Sequence, residues 1–243
     1  MAPTRTSIRR LARPLGTCAC LAALAAGAAP RPAPVAAQEA PLDAPAGLGP
    51  GAGALLATVA ARVEGFRHAR FGMSEPEVRQ AARRDFPDAA GRLSRTTHAS
   101  EKTTVLAVTA NGLLPDAGPA RVSYVLGYAS KRLVQVNVVW SSDGRSAARD
   151  EAVVAAANIL RDHFQGQHIA PPDEVVANRQ VGEGAFLVFR AAQADGRMVV
   201  VVLSGAGAAE RARTPTLAPL TLQLSYIGDY QHTDVFRIEG GRF

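Results

Sequence analysis

The chain has 243 residues, 47% of them hydrophobic and 5% aromatic, and a formal charge of +6. That charge is local: residues 1–37 hold five arginines and no acid, and removing those five from 27 leaves 22 basic against 21 acidic residues. A near-neutral remainder lacks the electrostatic footprint of a nucleic-acid binder, and no apolar run beyond residue 37 is long enough to span a membrane as a helix.

Arg5, Arg9, Arg10 and Arg13 precede the apolar stretch Leu15–Ala29, which Val35-Ala36-Ala37 follows. This order of charged, apolar and small-residue regions reads as an export signal cleaved after Ala37. Both cysteines, Cys18 and Cys20, fall inside it. The remaining 206 residues are then free of thiols and held together by a hydrophobic core. The periplasm, or full secretion, is the expected location.

Residues 38–52, rich in Ala, Pro and Gly, read as a flexible mature N-terminus. Leu55, Leu56, Val59 and Val63 predict a short helix over 53–64. Ser74-x-x-Glu77 is a capping box, with Met73 and Val78 placed as a hydrophobic staple and Pro76 in the first turn; this helix runs to about Phe86 and stops before Pro87. Thr103–Thr109 reads as a strand. Val122, Tyr124, Leu126 and Tyr128 alternate, as do Val134, Val136, Val138 and Trp140, so the two runs form an antiparallel hairpin around 129–132. A longer helix is expected at 147–165, with the stripe Val153, Ala157, Leu160 and Phe164. Ala185–Ala191 and Met198–Leu203 form a second hairpin, the latter strand covered on both faces. Leu220–Tyr226 alternates again, and 205–219 reads as a surface loop.

The result is an α+β fold whose residues 53–243 form one domain of two tandem helix-plus-antiparallel-sheet units, at about 66–142 and 146–230. The segment Gly72-Met73-Ser74-x-x-Glu77-Val78 resembles the signature near the first helix of the small outer-membrane assembly lipoproteins, the BamE/SmpA-OmlA family. It also resembles segments of the β-lactamase-inhibitor-protein-like (BLIP-like) fold. The resemblance covers about 70 residues at most and implies layers of helices against one face of an antiparallel sheet, in proteins that act by binding other proteins.

Chemistry-bearing patterns are few. The sequence has no G-x-S-x-G elbow, no H-E-x-x-H, no P-loop and no dinucleotide-binding glycine pattern, so no catalytic, metal or cofactor residue is assigned. His232-x-Asp234 supplies two potential ligands where a metal site needs three. Arg79 and Arg83, four apart on one helix face, and Tyr124 and Tyr128 on one strand face, are the candidate partner-binding residues. The leading expectation is a non-enzymatic envelope protein that binds another envelope or secreted protein. An inhibitor of a secreted hydrolase, plugging with loops 111–119 and 205–219, is the first alternative; a hydrolase using Ser204, His232 or Asp234 is the second.

Overall fold

The computed structural model describes residues 61–142, 146–182, 184–205 and 219–237. The expected leader, the Ala/Pro/Gly-rich stretch, most of the helix expected at 53–64 and nearly all of the loop at 205–219 lie outside these residues. The described end of that helix, 61–64, is not helical. The Gln193 side chain takes up its backbone groups instead: Val63 N–H donates to Gln193 Oε1 (3.1 Å), and Gln193 Nε2 donates to the carbonyls of Ala61 (3.0 Å) and Ile169 (2.9 Å). Polar backbone groups satisfied by a side chain have no need of a helical ladder.

The chain then enters β1 (Gly65–Phe66), paired antiparallel with β2 (Ala69–Arg70). Helix α1 (Glu75–Asp85) begins where the capping box places it. Ser74 N–H donates to Glu77 Oε2 at 2.7 Å, and the Ser74 hydroxyl donates to the same oxygen at 2.6 Å. Those bonds hold the fully exposed Glu77 carboxyl below its ordinary value. Val78 is buried and Met73 packs against the core, completing the staple. Phe86 ends the helix ahead of Pro87, because proline disfavours the helical conformation of the residue before it.

Four antiparallel strands follow: β3 (Ser94–Thr97), β4 (Thr104–Ala110), β5 (Ala120–Leu126) and β6 (Leu133–Ser141). Helix α2 (Ala147–Gly166) leads to four more: β7 (Val175–Gly182), β8 (Ala185–Ala192), β9 (Met198–Ser204) and β10 (Thr221–Ile227). All eight join one sheet in the order β3-β4-β5-β6-β10-β9-β8-β7. Each run of four is a meander, and the two meet through their last strands, with Leu224 of β10 opposite Val138 of β6. The architecture is therefore α+β, with two α-helices and a large antiparallel sheet among the described residues.

Register carries two apolar rows across the sheet. Tyr124, Val136, Tyr226, Val199 and Ala191 form one, and Val122, Val138, Leu224, Val201 and Phe189 the other. Both rows share one core with Val78, Ala81 and Ala82 of α1 and with Val153, Ala156, Ala157, Leu160 and Phe164 of α2. Both helices therefore lie on the same face. Phe164 anchors α2: its ring centroid is 5.7 Å from Phe189 and 6.1 Å from Tyr226. Each large apolar side chain so buried contributes about 1.5–3 kcal/mol. Among the described residues no helix is long and apolar enough to cross a membrane.

One detail corrects the strand pattern. Strand β5 ends at Leu126, and Tyr128 stands in the hairpin turn beyond it. Tyr124 and Tyr128 therefore do not share a strand face.

Candidate functional site

Side chains alternate across a strand, so the residues between the core rows build the other face of the sheet. Three rows cross it. The first is Thr109–Arg121–Val139–Gln223–Val202–Leu187–Arg179. The second is Ser94–Ala107–Ser123–Asn137–Ser225–Val200–Arg190–Val176, and the third Thr96–Val105–Val125–Gln135–Ile227–Met198–Ala192. None of these side chains belongs to the core that seats the two helices. None is an acid.

The second row forms a trough. Ser123, Asn137 and Ser225 are only 5%, 4% and 2% exposed, and amides from the flanking rows lean over them. Gln135 Nε2 donates to Asn137 Oδ1 (2.8 Å), and Gln223 Nε2 donates to Ser225 Oγ (3.0 Å). Short polar side chains between taller neighbours lose exposure while keeping hydrogen-bond partners. Arg121 on β5 and Arg179 on β7 are exposed in the first row and make no ion pair among the described residues. Arg190 donates from Nε to Met198 Sδ (3.2 Å), with its guanidinium 5.9 Å from the Tyr230 ring centroid.

No family model matches this chain, and neither a curated protein nor a solved structure does. The face must be read from its own chemistry.

The structure separates the four candidate partner-binding residues. Tyr124 is completely buried in the helix-side core, and its hydroxyl has no hydrogen-bond partner; burial, aided by the Asp85 charge, pushes that phenol well above its ordinary range. It cannot touch a partner in this fold. Tyr128 is exposed, but its ring meets Phe236 edge-on at 5.3 Å and carries the Lys131 ammonium at 4.9 Å. Arg79 is committed to Glu75, with Nη2 and Nε at 2.7 and 3.0 Å from Oε1, while Arg95 reaches Glu75 Oε2 at 3.3 Å. The Arg79 bond, outweighing burial and joined by Arg95, holds the Glu75 carboxyl below its ordinary value. Arg83 is exposed near the C-terminal end of α1, where a cation suits the helix dipole.

Nor do the candidate hydrolytic groups converge. Ser204 closes β9 opposite Thr221, whereas Asp229, His232 and Asp234 follow the other end of β10, where Ile227 pairs with Met198. Six residues of strand separate the two ends, about 20 Å. His232 turns to Asp229 (Nδ1 to Oδ2, 3.2 Å). Asp234 accepts the N–H groups of Ala129 (2.7 Å) and Ser130 (2.9 Å) in the β5–β6 turn. Among the described residues no group of three His, Cys, Asp or Glu is placed to hold a metal ion. In the segment 111–119, Ala117 is buried and Leu113 and Leu114 pack against the core, while Asn111, Gly112, Pro115, Asp116 and Pro119 are exposed.

A cavity of about 140 Å³ lies between the segment entering β1 and the end of α2, lined by Arg62, Val63, His163, Phe164, Gln167 and Tyr226 among others. Arg62 and His163 are already engaged. Arg62 pairs with Asp195 at 3.5 Å, and the His163 Nε2 lies 2.9 Å from Gln167 Nε2. Burial pushes the Tyr226 phenol up to about 12.

Sequence reasoning missed the helix-free face, although its signal is present. Arg121-Val122-Ser123-Tyr124, Gln135-Val136-Asn137-Val138 and Gln223-Leu224-Ser225-Tyr226 all alternate polar with apolar residues. The polar phase of one strand falls opposite the polar phase of the next only once the register is known.

Proposed function

We propose that this chain is an exported, non-enzymatic protein-binding or scaffold protein of the cell envelope, which holds another envelope or secreted protein on the helix-free face of its sheet. One observation carries the reading: a row seven strands wide mixes arginine, amide, hydroxyl and aliphatic side chains on a face where neither helix packs. Seven strands, six spacings of ~4.8 Å, and seven residues, six rises of ~3.3 Å, give a footprint of about 29 by 20 Å. That approaches the ~800 Å² that one partner contributes to a standard interface. Arginine beside aliphatic and amide groups is the composition of an interface rather than of a reaction centre.

The export half of the reading is supported by the arginine-led apolar leader of residues 1–37. We read the two helix-plus-meander runs as tandem units in the manner of BamE-like and BLIP-like layers. Their meeting through equivalent last strands, β6 and β10, is the pairing that a twofold-related duplication produces.

The test is site-directed photocrosslinking in the envelope. A benzophenone amino acid at Gln223, on the helix-free face, gives a discrete protein adduct; the same group at Glu151, on the exposed side of α2, does not. Equal labelling from both positions, or none from Gln223, refutes docking through this face.

A further inference from the structure

We infer that the docked partner presents carboxylates on either side of an apolar centre; this rests on the docking reading and specifies the partner's chemistry. Arg121 on β5 and Arg179 on β7 stand in the same cross-strand row, Arg179 at its edge and Arg121 one strand in from Thr109 of β4. Five strand spacings separate them, about 24 Å. Arg190 stands one strand inward from Arg179, in the adjacent row. No acid stands in any of the three rows, and among the described residues Arg121 and Arg179 make no ion pair.

Their positions distinguish them from the other exposed arginines. Arg83 and Arg84 lie in the last turn of α1, where the helix dipole accounts for them. Arg121 and Arg179 sit within strands, where no backbone dipole favours a cation. An exposed guanidinium offers a rigid fork of donors suited to a carboxylate. Between the two forks lie Val139, Gln223, Val202 and Leu187, which match an apolar centre and carry no charge to repel one. The face therefore fits a surface with acids about 24 Å apart and aliphatic or aromatic groups between them.

The test uses the purified full chain and defined probes: a fluorescent random copolymer of glutamate and tyrosine, the matched copolymer of lysine and tyrosine, and a single-stranded oligothymidylate. Anisotropy should show the glutamate copolymer binding at least about tenfold more tightly than the lysine copolymer, and weakening as salt shortens the screening length. The double substitution R121E/R179E should abolish that preference, while R83E/R84E, equal in charge change, should leave it, with both variants folded by circular dichroism. Loss of preference in both variants, no preference in the parent, or oligothymidylate binding as tight and as dependent on Arg121 and Arg179 each overturns the inference. If Gln223 still crosslinks a protein in the envelope while the copolymers show no preference, the docking face stands and only the acidic partner is wrong. If Gln223 crosslinks nothing, the docking reading itself falls.

Discussion

Replacing Gly127 with alanine should loosen the C-terminal segment through one contact. A methyl group at Gly127 would lie inside the Asp234 carboxylate and 2.7 Å from Ser130 Oγ. The carboxylate would have to leave the N–H groups of Ala129 and Ser130, which it accepts at 2.7 and 2.9 Å. Hydrogen bonds to a charged group contribute about 1.5–3 kcal/mol each where water is excluded. This turn is largely exposed, so screening and rehydration of the freed amides reduce the sum to about 1–3 kcal/mol. D234A should cost that amount and G127A about the same. For a domain of this size each kcal/mol lowers Tm by about 2–4 °C. Urea unfolding followed by far-UV circular dichroism gives the cycle. G127A added to D234A should cost less than ~0.5 kcal/mol, because the carboxylate it displaces has already gone. If G127A is as damaging without Asp234 as with it, the glycine is required for some other reason and the argument fails. The pH dependence supplies a second check. Burial tends to raise the Asp234 value, but hydrogen bonds from Ser130 and Ala129, with the Lys131 charge, outweigh it and hold the carboxyl below its ordinary range. A depressed folded-state value stabilises above the unfolded value of ~3.9 and is lost as pH falls through the folded one. The difference between parent and D234A should therefore be constant from neutral pH down to about 5 and shrink only below ~3.9.

Three further outcomes are expected. F164A removes the ring that α2 stacks on Phe189 and sets edge-on to Tyr226 and should cost about 3–5 kcal/mol, read as a lower urea midpoint; a loss under ~1 kcal/mol would mean that α2 is not anchored there. Y124F should leave the urea midpoint unchanged or raise it, because it keeps the buried ring and deletes a hydroxyl that has no partner, an uncompensated burial of about 1–3 kcal/mol. In an alkaline absorbance titration the Tyr226 phenolate should appear only near pH 12. Because its folded value lies above the unfolded ~10, its stabilising contribution is complete below pH 10 and lost above it, so Y226F should flatten the alkaline fall in stability between pH 10 and 12.

Local signals in the sequence located elements wherever one residue had one physical job. Ser74 and Glu77 marked the start of α1 because a capping box satisfies backbone groups with neighbours three residues away. The stripe of Val153, Ala157, Leu160 and Phe164 marked α2 because all four face one core. The edge strands β3 and β7 escaped notice for the opposite reason. Ser94-Arg95-Thr96-Thr97 is exposed throughout, and β7 carries exposed Asn178, Arg179 and Gln180 with Asn178 at a positive φ of 54°. Edges written in polar residues resist pairing with other chains, and the same polarity removes the apolar period by which strands are recognised.

The strand β9 shows why the face away from the two helices in particular stayed hidden. Met198-Val199-Val200-Val201-Val202 is apolar at every position, which predicts cover on both sides. Each of those residues is indeed buried, yet only Val199 and Val201 belong to the core with the helices. Val200 and Val202 share their rows with Ser225 and Gln223 on one side and Arg190 and Leu187 on the other. An unbroken apolar strand therefore sits amid a face whose neighbouring strands place serine, glutamine and arginine in register with it. Had that face been meant for a third layer of this fold, its neighbours would be expected to be apolar too, since burying unpaired guanidinium and amide groups under a helix costs several kcal/mol. Apolar groups between two arginines of one row suit a surface that must be compatible with water and with a partner in turn, which is why the proposed docking is assigned to this face rather than to either helix.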